Sequence, residues 1–395
     1  MKIRTITQLN IRNSPDRNNP RTGIRIPNVE LEVEQVEGEK VKDTVNGKVI
    51  ESSVWYKDAT GDYYWGGGVE IFQAEKSANE IISTAQIFSD FWFNELGILQ
   101  IWNEFSERGE NAKALILDSG INTDLTQINS AIQDPTKNFV QGSVTIKDSH
   151  KEYHGTHCSS IIAARSNNQY IGASPETKIY IGKITEAEDG SLENSNTMKD
   201  ALKEFSKDVY QFDIISISQE LISEDIELKE LIGQHLKKSR IVIASIGNDP
   251  ESENRPFKRY PGSFEECISV GSCTNDRTLS LFSMNPDNTN IFCYGEKILS
   301  YKDTSEPKPL SGTSQSTAIV TGICCLIVSW LKKNSFSYDY QSIRNLLKIY
   351  SSNLIDNSNL RIIQPIAIFK KLQKFKNYED KNLQHCIDAD HLAGS

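Results

Sequence analysis

The stretch Lys113-Ala114-Leu115-Ile116-Leu117-Asp118, KALILD in one-letter code, is a short apolar run that ends in a carboxylate. A run of this length bounded by charged residues is typical of a strand buried on both faces. Four more runs of the same kind follow along the chain: KIYIGKI (178–184), FDIISIS (212–218), RIVIASIG (240–247) and CISVGS (267–272). Together these strands predict the hydrophobic centre of one large domain.

Amphipathic stretches separate the predicted strands. Two of them, TMKDALKEFSKDVY (197–210) and IELKELIGQHLKK (226–238), carry apolar residues at helical spacing. Buried strands that alternate with helices form a mostly parallel sheet with helices on both faces. The sequence therefore predicts an α/β fold.

The composition is that of a chain that folds around a core, with 37% hydrophobic and 24% charged residues. The formal charge of -10 argues against a nucleic-acid ligand, because a phosphate backbone is bound by a basic surface. The start of the chain turns polar too early for a signal peptide, and the apolar run 318–331 is shorter than the roughly 20 residues that cross a membrane. We therefore expect no nucleic-acid partner, no membrane partner and no export.

The seven cysteines have no regular spacing, and two of them, Cys324 and Cys325, lie within the apolar run. An odd and irregular set is unlike the disulfide framework of a secreted domain. We expect reduced, buried thiols and a cytoplasmic location.

The pattern divides the chain into four segments. Residues 1–72 carry short alternating runs separated by turn signals such as Asn46-Gly47, which predict a small antiparallel β domain. Residues 73–90 are predicted to form a helical linker. Residues 91–370 hold the α/β domain, and residues 371–395 are predicted to be a polar C-terminal tail without chemistry of its own.

The stretch SHKEYHGTHC (149–158) contains His150, His154 and His157 beside a cysteine, which suggests either a metal site or acid–base chemistry. No His-Glu-x-x-His motif and no Cys-x-x-Cys pair accompanies them, which argues against zinc. An imidazole is also a suitable partner for a carboxylate that emerges from a buried strand, as Asp118 does. We therefore favour acid–base work by one histidine and expect no metal.

Ser314 is the candidate nucleophile. It lies in SGTSQSTA (311–318) and is predicted to begin the long apolar helix, where unpaired N–H groups and the helix dipole favour a developing negative charge. Taken alone, a serine at this position is most often a helix cap. A catalytic role for Ser314 is indicated only when this stretch is considered together with other stretches of the chain.

Three stretches together resemble the active-site blocks of the subtilisin-like serine proteases, in the family's order of Asp, His and Ser: LILDSGI (115–121), HGTHCSSIIAA (154–164) and SGTSQSTAIVTG (311–322). ASIGNDP (244–250) resembles the family's oxyanion-asparagine block, and RYPGSFEECISVGS (259–272) its tyrosine-proline turn and the strand beyond. The resemblance covers residues 90–370 and implies a subtilisin-like peptidase domain.

The resemblance implies a serine endopeptidase that acts on protein or peptide substrates without a cofactor. His154 is implied to take the proton of Ser314 as general base, while Asp118 orients the imidazole. The oxyanion is implied to bind to the Asn248 side-chain amide and the Ser314 backbone N–H. His157 is implied to be a structural neighbour.

The chain departs from the family after the predicted strand 212–218, where the family commonly reads Ser-Leu-Gly and this chain reads Ser218-Gln219-Glu220. The family's glycine lines the pocket for the side chain before the scissile bond. Ser218 and Glu220 are therefore the substrate-binding candidates. Glu220 is predicted either to narrow the pocket or to attract a Lys or Arg side chain, and the alternative is that it points to solvent.

Residues 1–72 resemble a bacterial SH3-like domain through LNIRNSPD (9–16) and VWYKDATGDYYWGG (54–67). Five aromatic residues of the second segment are predicted either to form a partner surface or to fill the small core: Trp55, Tyr56, Tyr63, Tyr64 and Trp65. The segment is a candidate regulator of the enzyme, or the site at which a protein activator binds. The alternative for the whole chain is a non-catalytic binding protein on a subtilisin-like scaffold.

Overall fold

The computed structural model describes nine ranges of the chain, namely residues 2–25, 29–45, 47–71, 91–165, 171–249, 258–284, 289–304, 306–355 and 359–394. The chain divides into two compact units, Met1–Ile87 and Phe88–Ser395. The predicted helical linker over residues 73–90 lies outside the described residues, as does Asn46 of the turn signal.

The N-terminal unit is built on one antiparallel sheet. Its strands are β1 (Lys2–Thr5), β2 (Leu9–Arg12), β3 (Arg21–Arg25), β4 (Glu30–Val45), β5 (Lys48–Asp58), β6 (Tyr63–Trp65) and β7 (Val69–Ile71), with a 3-10 helix, η1 (Gly66–Gly68), between the last two. The strand order is β3-β2-β6-β5-β4-β1-β7, and neighbouring strands pair antiparallel. The predicted small β domain at the N-terminus is confirmed.

The aromatic residues of this unit mostly fill its core. Four of the five are buried, namely Trp55, Tyr56, Tyr64 and Trp65. Tyr63 is partly buried against the cluster that contains both tryptophans. The Tyr64 hydroxyl donates a hydrogen bond of 2.6 Å to the buried Asp58 carboxylate, so the polar end of that ring is also satisfied inside the unit. The prediction of a core role is confirmed for these four residues.

The second unit contains the predicted buried strands. Its strands are β8 (Lys113–Asp118), β9 (Lys137–Asn138), β10 (Lys178–Lys183), β11 (Ile214–Ile217), β12 (Ile241–Ser245), β13 (Ile268–Cys273), β14 (Ile291–Tyr294), β15 (Ile298–Ser300), β16 (Lys308–Leu310), β17 (Ser352–Asn353) and β18 (Arg361–Ile362). Nine of them form one sheet in the order β17-β18-β14-β13-β12-β11-β8-β10-β9. Its pairings are parallel except for β17 with β18, and β15 and β16 form a separate antiparallel pair.

Helices pack on this sheet. They are α1 (Phe91–Glu95), α2 (Ile98–Glu104), α3 (Thr126–Asn129), α4 (His154–Ala163), α5 (Asn196–Phe205), α6 (Ile226–Leu236), α7 (Thr313–Lys333), α8 (Tyr340–Ile349), α9 (Pro365–Phe375) and α10 (Leu383–Gly394). The side chains of β11 show that both faces are covered. Ile215 and Ile217 pack in a cluster with residues of α5 and α6, whereas Ser216 between them accepts a hydrogen bond of 3.0 Å from Thr321 of α7.

The predicted strands agree with the observed ones. β8 has the predicted bounds, and the other four begin and end within two residues of the prediction. The predicted α/β fold with a mostly parallel sheet and helices on both faces is confirmed.

α7 is the central helix of the second unit. It contacts α4 and the strands β11 to β14. Its length and composition would allow it to cross a membrane, yet its most apolar window is 100% buried within the fold, as in the core helix of a water-soluble domain. The helix is longer than the apolar run 318–331, because its first turns carry buried polar residues such as Thr313 and Thr317. All seven cysteines lie within the described residues, and all are buried and free of disulfides.

The C-terminal segment is folded onto the second unit. The position predicted as the start of a polar tail, residue 371, falls inside α9. The next helix, α10, packs against α8, and its Leu383, Cys386 and Ile387 are buried. These apolar residues lie at the spacing of one helix face, which explains how a mostly polar segment is held.

Candidate active site

The predicted site residues lie where strands end and helices begin. Asp118 ends β8, Ser218 follows β11 and Asn248 follows β12. These three strands are parallel neighbours, so their carboxyl ends meet at one edge of the sheet. His154 begins α4 and Ser314 lies in the first turn of α7. His154, Ser218, Asn248 and Ser314 line one cleft, and Asp118 is bonded to His154.

Asp118, which is buried, and His154, which is partly buried, form a hydrogen-bonded pair. His154 Nδ1 lies 2.8 Å from Asp118 Oδ1, and Nδ1 carries the hydrogen because a carboxylate only accepts. The Ser119 N–H and the Gln219 side-chain amide donate to the same oxygen at 2.7 and 3.0 Å. Burial favours the neutral form of Asp118, but the charge of His154 and these hydrogen bonds outweigh it and hold the pKa of the carboxyl below its usual value.

The same pair sets the charge of the imidazole. Burial acts to lower the pKa of His154, but the nearby Asp118 charge outweighs burial and raises that pKa well above its ordinary value. His154 is therefore a stronger base than a free histidine. Its Nε2 atom lies on the side of the ring away from Asp118.

Gly155 allows the start of α4 to approach the end of β8. A Cβ atom at this position would lie 2.3 Å from the carbonyl oxygen of Gly120. Because that oxygen belongs to the backbone, a larger residue would push α4 away from the strand. The glycine therefore keeps His154 within reach of Asp118.

The other two histidines of the cluster lie beside this pair. His157 is buried, and its Nε2 donates to the Lys308 carbonyl at 3.1 Å. Burial lowers the pKa of His157 to about 3, so it is neutral at physiological pH. His150 lines the cleft, with its ring centroid 5.4 Å from that of His154. Of the three, His154 is the one that contacts the Asp118 carboxylate.

Asp118, His154 and Cys158 offer donor atoms that all lie within 4.8 Å of one another, a grouping that could hold a metal ion. Cys158 Sγ lies 3.9 Å from His154 Nε2. Burial raises the pKa of this thiol, which disfavours the thiolate that metals bind. Hydrogen bonding between the histidine and the carboxylate accounts for the grouping without an ion.

Ser314 is held in the first turn of α7 and is 5% exposed. Its hydroxyl donates to the main-chain carbonyl of Ser218 over 3.2 Å. Its backbone N–H belongs to the first turn, where a helix provides no acceptor of its own. Both groups therefore lie at the positive end of a long helix, in a residue that lines the cleft.

Asn248 is oriented by a bond to the same helix. The Thr313 N–H donates to Asn248 Oδ1 over 2.9 Å. Because one end of a side-chain amide is thereby fixed as the acceptor, its Nδ2 donor is left to the other side. Asn248 lines the cleft that contains Ser314, so the amide supplies a fixed donor there.

Glu220 lies in the cleft, which has a volume of about 530 Å³. Its Oε1 atom is 3.4 Å from Arg259 Nε, and the two side chains are 34% and 16% exposed. Burial raises the pKa of Glu220, although the charge of Arg259 opposes the shift. Glu220 thus lines the cleft, is paired with Arg259 and keeps about one third of its side chain exposed.

Two residues of the site were not among the predicted ones. Gln219 donates a hydrogen bond to Asp118, and Arg259 forms an ion pair with Glu220. The departure from Ser-Leu-Gly marked the position of Gln219 but did not show where its side chain goes. Arg259 directly precedes Tyr260 in the tyrosine-proline turn, and its place beside that turn is the feature of the sequence that could have indicated it as a site residue.

The family comparison agrees with this geometry. The model of the Subtilase family, Peptidase_S8, matches residues 109–361, which is more than half of the chain. The matched range contains Asp118, His154, Asn248 and Ser314.

Curated relatives are named as proteases. The "Major intracellular serine protease" of Bacillus subtilis (strain 168) is 32% identical over 282 residues, which cover 68% of this chain and 86% of the relative. The "Intracellular serine protease" of Paenibacillus polymyxa is 30% identical over 243 residues, 60% of this chain and 72% of the relative. "Thermitase" of Thermoactinomyces vulgaris is 25% identical over 225 residues, 56% and 76% of the two chains. The family match and these relatives together show that the chain belongs to the subtilase family and is a serine-type endopeptidase.

Proposed function

We propose that Asp118, His154 and Ser314 are the catalytic triad of this endopeptidase. The observation that carries the proposal is the partly buried 2.8 Å hydrogen bond between Asp118 and His154, beside the cleft that Ser314 lines. This bond fixes the tautomer of the imidazole, so that Nε2 is the basic atom, and it stabilises the imidazolium that forms during the reaction. The binding-protein alternative is not favoured, because these groups are all in place and the relatives are named as proteases.

Acylation begins when Ser314 Oγ attacks the carbonyl carbon of the scissile peptide bond. The hydroxyl, which donates to Ser218 in the structure, rotates about its Cα–Cβ bond and gives its proton to His154 Nε2. The C–N bond then breaks, the departing amine takes the proton from His154, and the acyl group stays on Ser314 as an ester. A water molecule then gives a proton to His154 and attacks that ester, the bond to Ser314 Oγ breaks, and Ser314 takes the proton from His154 as the acid is released.

Asn248 and the Ser314 backbone N–H are the proposed donors to the oxyanion of the tetrahedral intermediate. The bond from Thr313 to Asn248 Oδ1 holds the amide before substrate arrives. A donor that is already oriented needs no reorganisation when the charge develops, which is why such groups favour the transition state over the bound substrate.

An acyl-enzyme burst tests this function. The purified chain is mixed with a nitrophenyl ester, and nitrophenol release is followed while acid-quenched samples are analysed by mass spectrometry. We expect a rapid burst of about one nitrophenol per enzyme and an acyl group on Ser314. Steady hydrolysis with no acylated enzyme would contradict the proposal, because direct attack by water leaves no covalent intermediate.

Replacing Gln219 by leucine is expected to move the acid limb of the pH profile of kcat/KM to higher pH. The Asp118 oxygen loses a donor that competes with His154, so the carboxylate holds the imidazolium more strongly and raises the pKa of His154 further. The groups that face His154, namely Asp118, His150 and Cys158, are unchanged. The rate at the optimum should fall by less than about tenfold, the size of one hydrogen bond.

The measurement is kcat/KM against pH, which reports the groups of the free enzyme. In the wild type we expect the acid limb above pH 6.5, the ordinary pKa of histidine, because the Asp118 charge raises the pKa of His154. Gln219→Met keeps the length of the side chain but removes the donor, so its acid limb is expected to move in the same direction. An acid limb that stays in place or moves to lower pH in both variants would show that Gln219 only fills space.

Ser218 and Glu220 are the proposed substrate-binding residues. The Ser218 carbonyl accepts from Ser314 in the structure and is released when that hydroxyl rotates. It is then available to a main-chain N–H of a protein or peptide substrate. Glu220 lines the same cleft and is proposed to contact the substrate side chain next to the scissile bond.

The N-terminal unit is proposed to be an SH3-like domain over residues 1–72 that regulates or targets the peptidase domain over residues 91–370, or that binds a protein activator. Support comes from its own compact fold and its own aromatic core. We propose a cytoplasmic location, because two relatives are named as intracellular proteases. A protease among cellular proteins requires restraint, and a separate domain is a suitable place for it.

Deleting residues 1–75 is expected to raise kcat/KM at least about fivefold, the lower end of ordinary coupling between sites. A second variant tests the same point in the full chain. Trp55→Ala opens the buried core of the N-terminal unit, so it should also raise kcat/KM. Rates are divided by active sites counted from the burst. Equal kcat/KM for the full and shortened chains would argue against inhibition by this region.

A further inference from the structure

Two oppositely charged side chains share the cleft with the proposed catalytic groups. Glu220 and Arg259 form an ion pair of 3.4 Å, and neither is more than about one third exposed. Both line the cleft that contains Ser314 and Asn248. The pair has no part in the proposed chemistry, so its place in the cleft calls for another explanation.

Both side chains of the pair lie against the backbone of Gly247. A Cβ atom at Gly247 would lie 2.3 Å from Glu220 Oε2 and 2.6 Å from Arg259 Cγ. Gly247 directly precedes Asn248, the proposed donor to the oxyanion. The charged side chains therefore cross the space immediately beside the point where the carbonyl of the scissile bond is held.

That space is within reach of the substrate side chain next to the scissile carbonyl. The carbonyl carbon is fixed at Ser314 and its oxygen at Asn248, so the adjoining Cα lies within a few ångströms of both. The segments that carry Glu220 and Arg259 are joined by two hydrogen bonds between Leu221 and Tyr260, of 2.7 and 2.9 Å. The backbone segments that carry the two charges are thus held in place relative to each other.

The pair changes what the pocket accepts. Its two long side chains fill room that a large apolar side chain would need. A substrate cation would pair with Glu220 but meet the charge of Arg259, and a substrate anion would meet the charge of Glu220. Either charged substrate side chain must disrupt the partly buried ion pair, which leaves the charge of Glu220 or of Arg259 uncompensated.

We propose that the Glu220–Arg259 ion pair makes this pocket select a small, uncharged side chain on the substrate residue that supplies the scissile carbonyl. Each charge masks the other, and Arg259 is the specificity-determining residue that keeps Glu220 from recruiting Lys or Arg. The proposal rests on the proposed function, since it assumes acylation at Ser314.

The test uses the full chain and peptides that differ only in this residue, which is Ala, Phe, Glu or Arg, followed by a fluorogenic amide. For the wild type we expect kcat/KM to be highest with Ala. In Glu220→Gln the unpaired Arg259 should raise the Glu-to-Ala ratio at least about tenfold, and in Arg259→Gln the unpaired Glu220 should raise the Arg-to-Ala ratio by a similar factor. The double variant should show neither gain, and Glu220→Gly with Arg259→Gly should raise the Phe-to-Ala ratio.

Burst titration of every variant separates failure of the proposal from failure of the enzyme. No burst in any protein, wild type included, would overturn the proposed function and this inference with it. A normal burst with a wild-type preference for Phe or Arg would overturn the inference alone. So would a normal burst with charge preferences that stay the same in both single variants.

Discussion

Replacing Ser314 by alanine should lower kcat by on the order of a million-fold, the loss found when the nucleophile of a subtilisin triad is removed. The proposed reaction forms its covalent bond at Ser314 Oγ, and alanine has no atom that can form it. His154→Ala should cause a loss of similar size, because the hydroxyl is then left without a base. The two losses should not add, since each variant alone already disables the same step.

The measurement is kcat for a fluorogenic peptide with Ser314→Ala, His154→Ala and the double variant. The control is Ser337→Ala, an exposed serine beyond the far end of α7, which should keep wild-type activity. Residual hydrolysis above water in the triad variants is expected, because the oxyanion donors and substrate binding remain. A Ser314→Ala enzyme that keeps more than about one per cent of wild-type kcat would contradict the assigned nucleophile, because the expected residual activity is far lower than one per cent.

Replacing Asn248 should lower kcat by about a hundred- to a thousand-fold with little change in KM, the range found for the oxyanion donor of a subtilisin. The oxyanion exists only in the transition state and intermediate, so a donor aimed at it contributes to kcat and not to the binding of the peptide. Asn248→Asp is the informative variant. Its carboxylate still accepts from the Thr313 N–H but offers no donor to the oxyanion.

Steady-state kinetics of Asn248→Asp and Asn248→Leu measure this effect. The aspartate should be at least as harmful as the leucine, because it places a negative charge beside the developing one. If Asn248 instead serves only to hold the start of α7, the aspartate keeps that bond and should retain most of the activity. A raised KM with unchanged kcat in both variants would likewise remove Asn248 from the oxyanion site.

Much of the fold follows from local pattern. A strand such as KALILD is buried on both faces, so its apolar run begins and ends with the strand itself, and β8 has the predicted bounds. The apolar run 318–331 is shorter than α7 for the opposite reason. Its first turns contain Thr313, Ser316 and Thr317, which are buried although their residue types look exposed, and the hydroxyls of Ser316 and Thr317 donate to main-chain carbonyls.

The pairing of His154 with Asp118 was expected, because the block resemblance places both residues near one edge of the sheet. Contacts between distant segments were not foreseeable in the same way. Gln219 reaches Asp118, and Glu220 reaches Arg259, only after β8, β11 and the tyrosine-proline turn have come together. A departure from a family motif shows where to look, but the partner of the new side chain is set by tertiary packing.

The C-terminal segment shows a similar limit. Leu383, Cys386 and Ile387 are too few to stand out among the polar residues of α10, yet they form one buried face. Polar contacts complete the packing: Asp390 accepts from the Tyr350 hydroxyl at 2.7 Å and from Lys371 at 2.7 Å. Short amphipathic helices of this kind gain their stability from docking and not from their own propensity.

The most direct test of the central claim is the reaction of the purified chain with a fluorophosphonate probe, mapped by mass spectrometry and repeated with Ser314→Ala, His154→Ala and Ser337→Ala. Such a probe modifies a serine only when a base and an oxyanion site activate it. The structure predicts one label per chain, on Ser314, which is absent from the Ser314→Ala and His154→Ala proteins and retained in Ser337→Ala. A label on another residue, or equal labelling of the wild type and Ser314→Ala, would contradict the claim that Asp118, His154 and Ser314 act together.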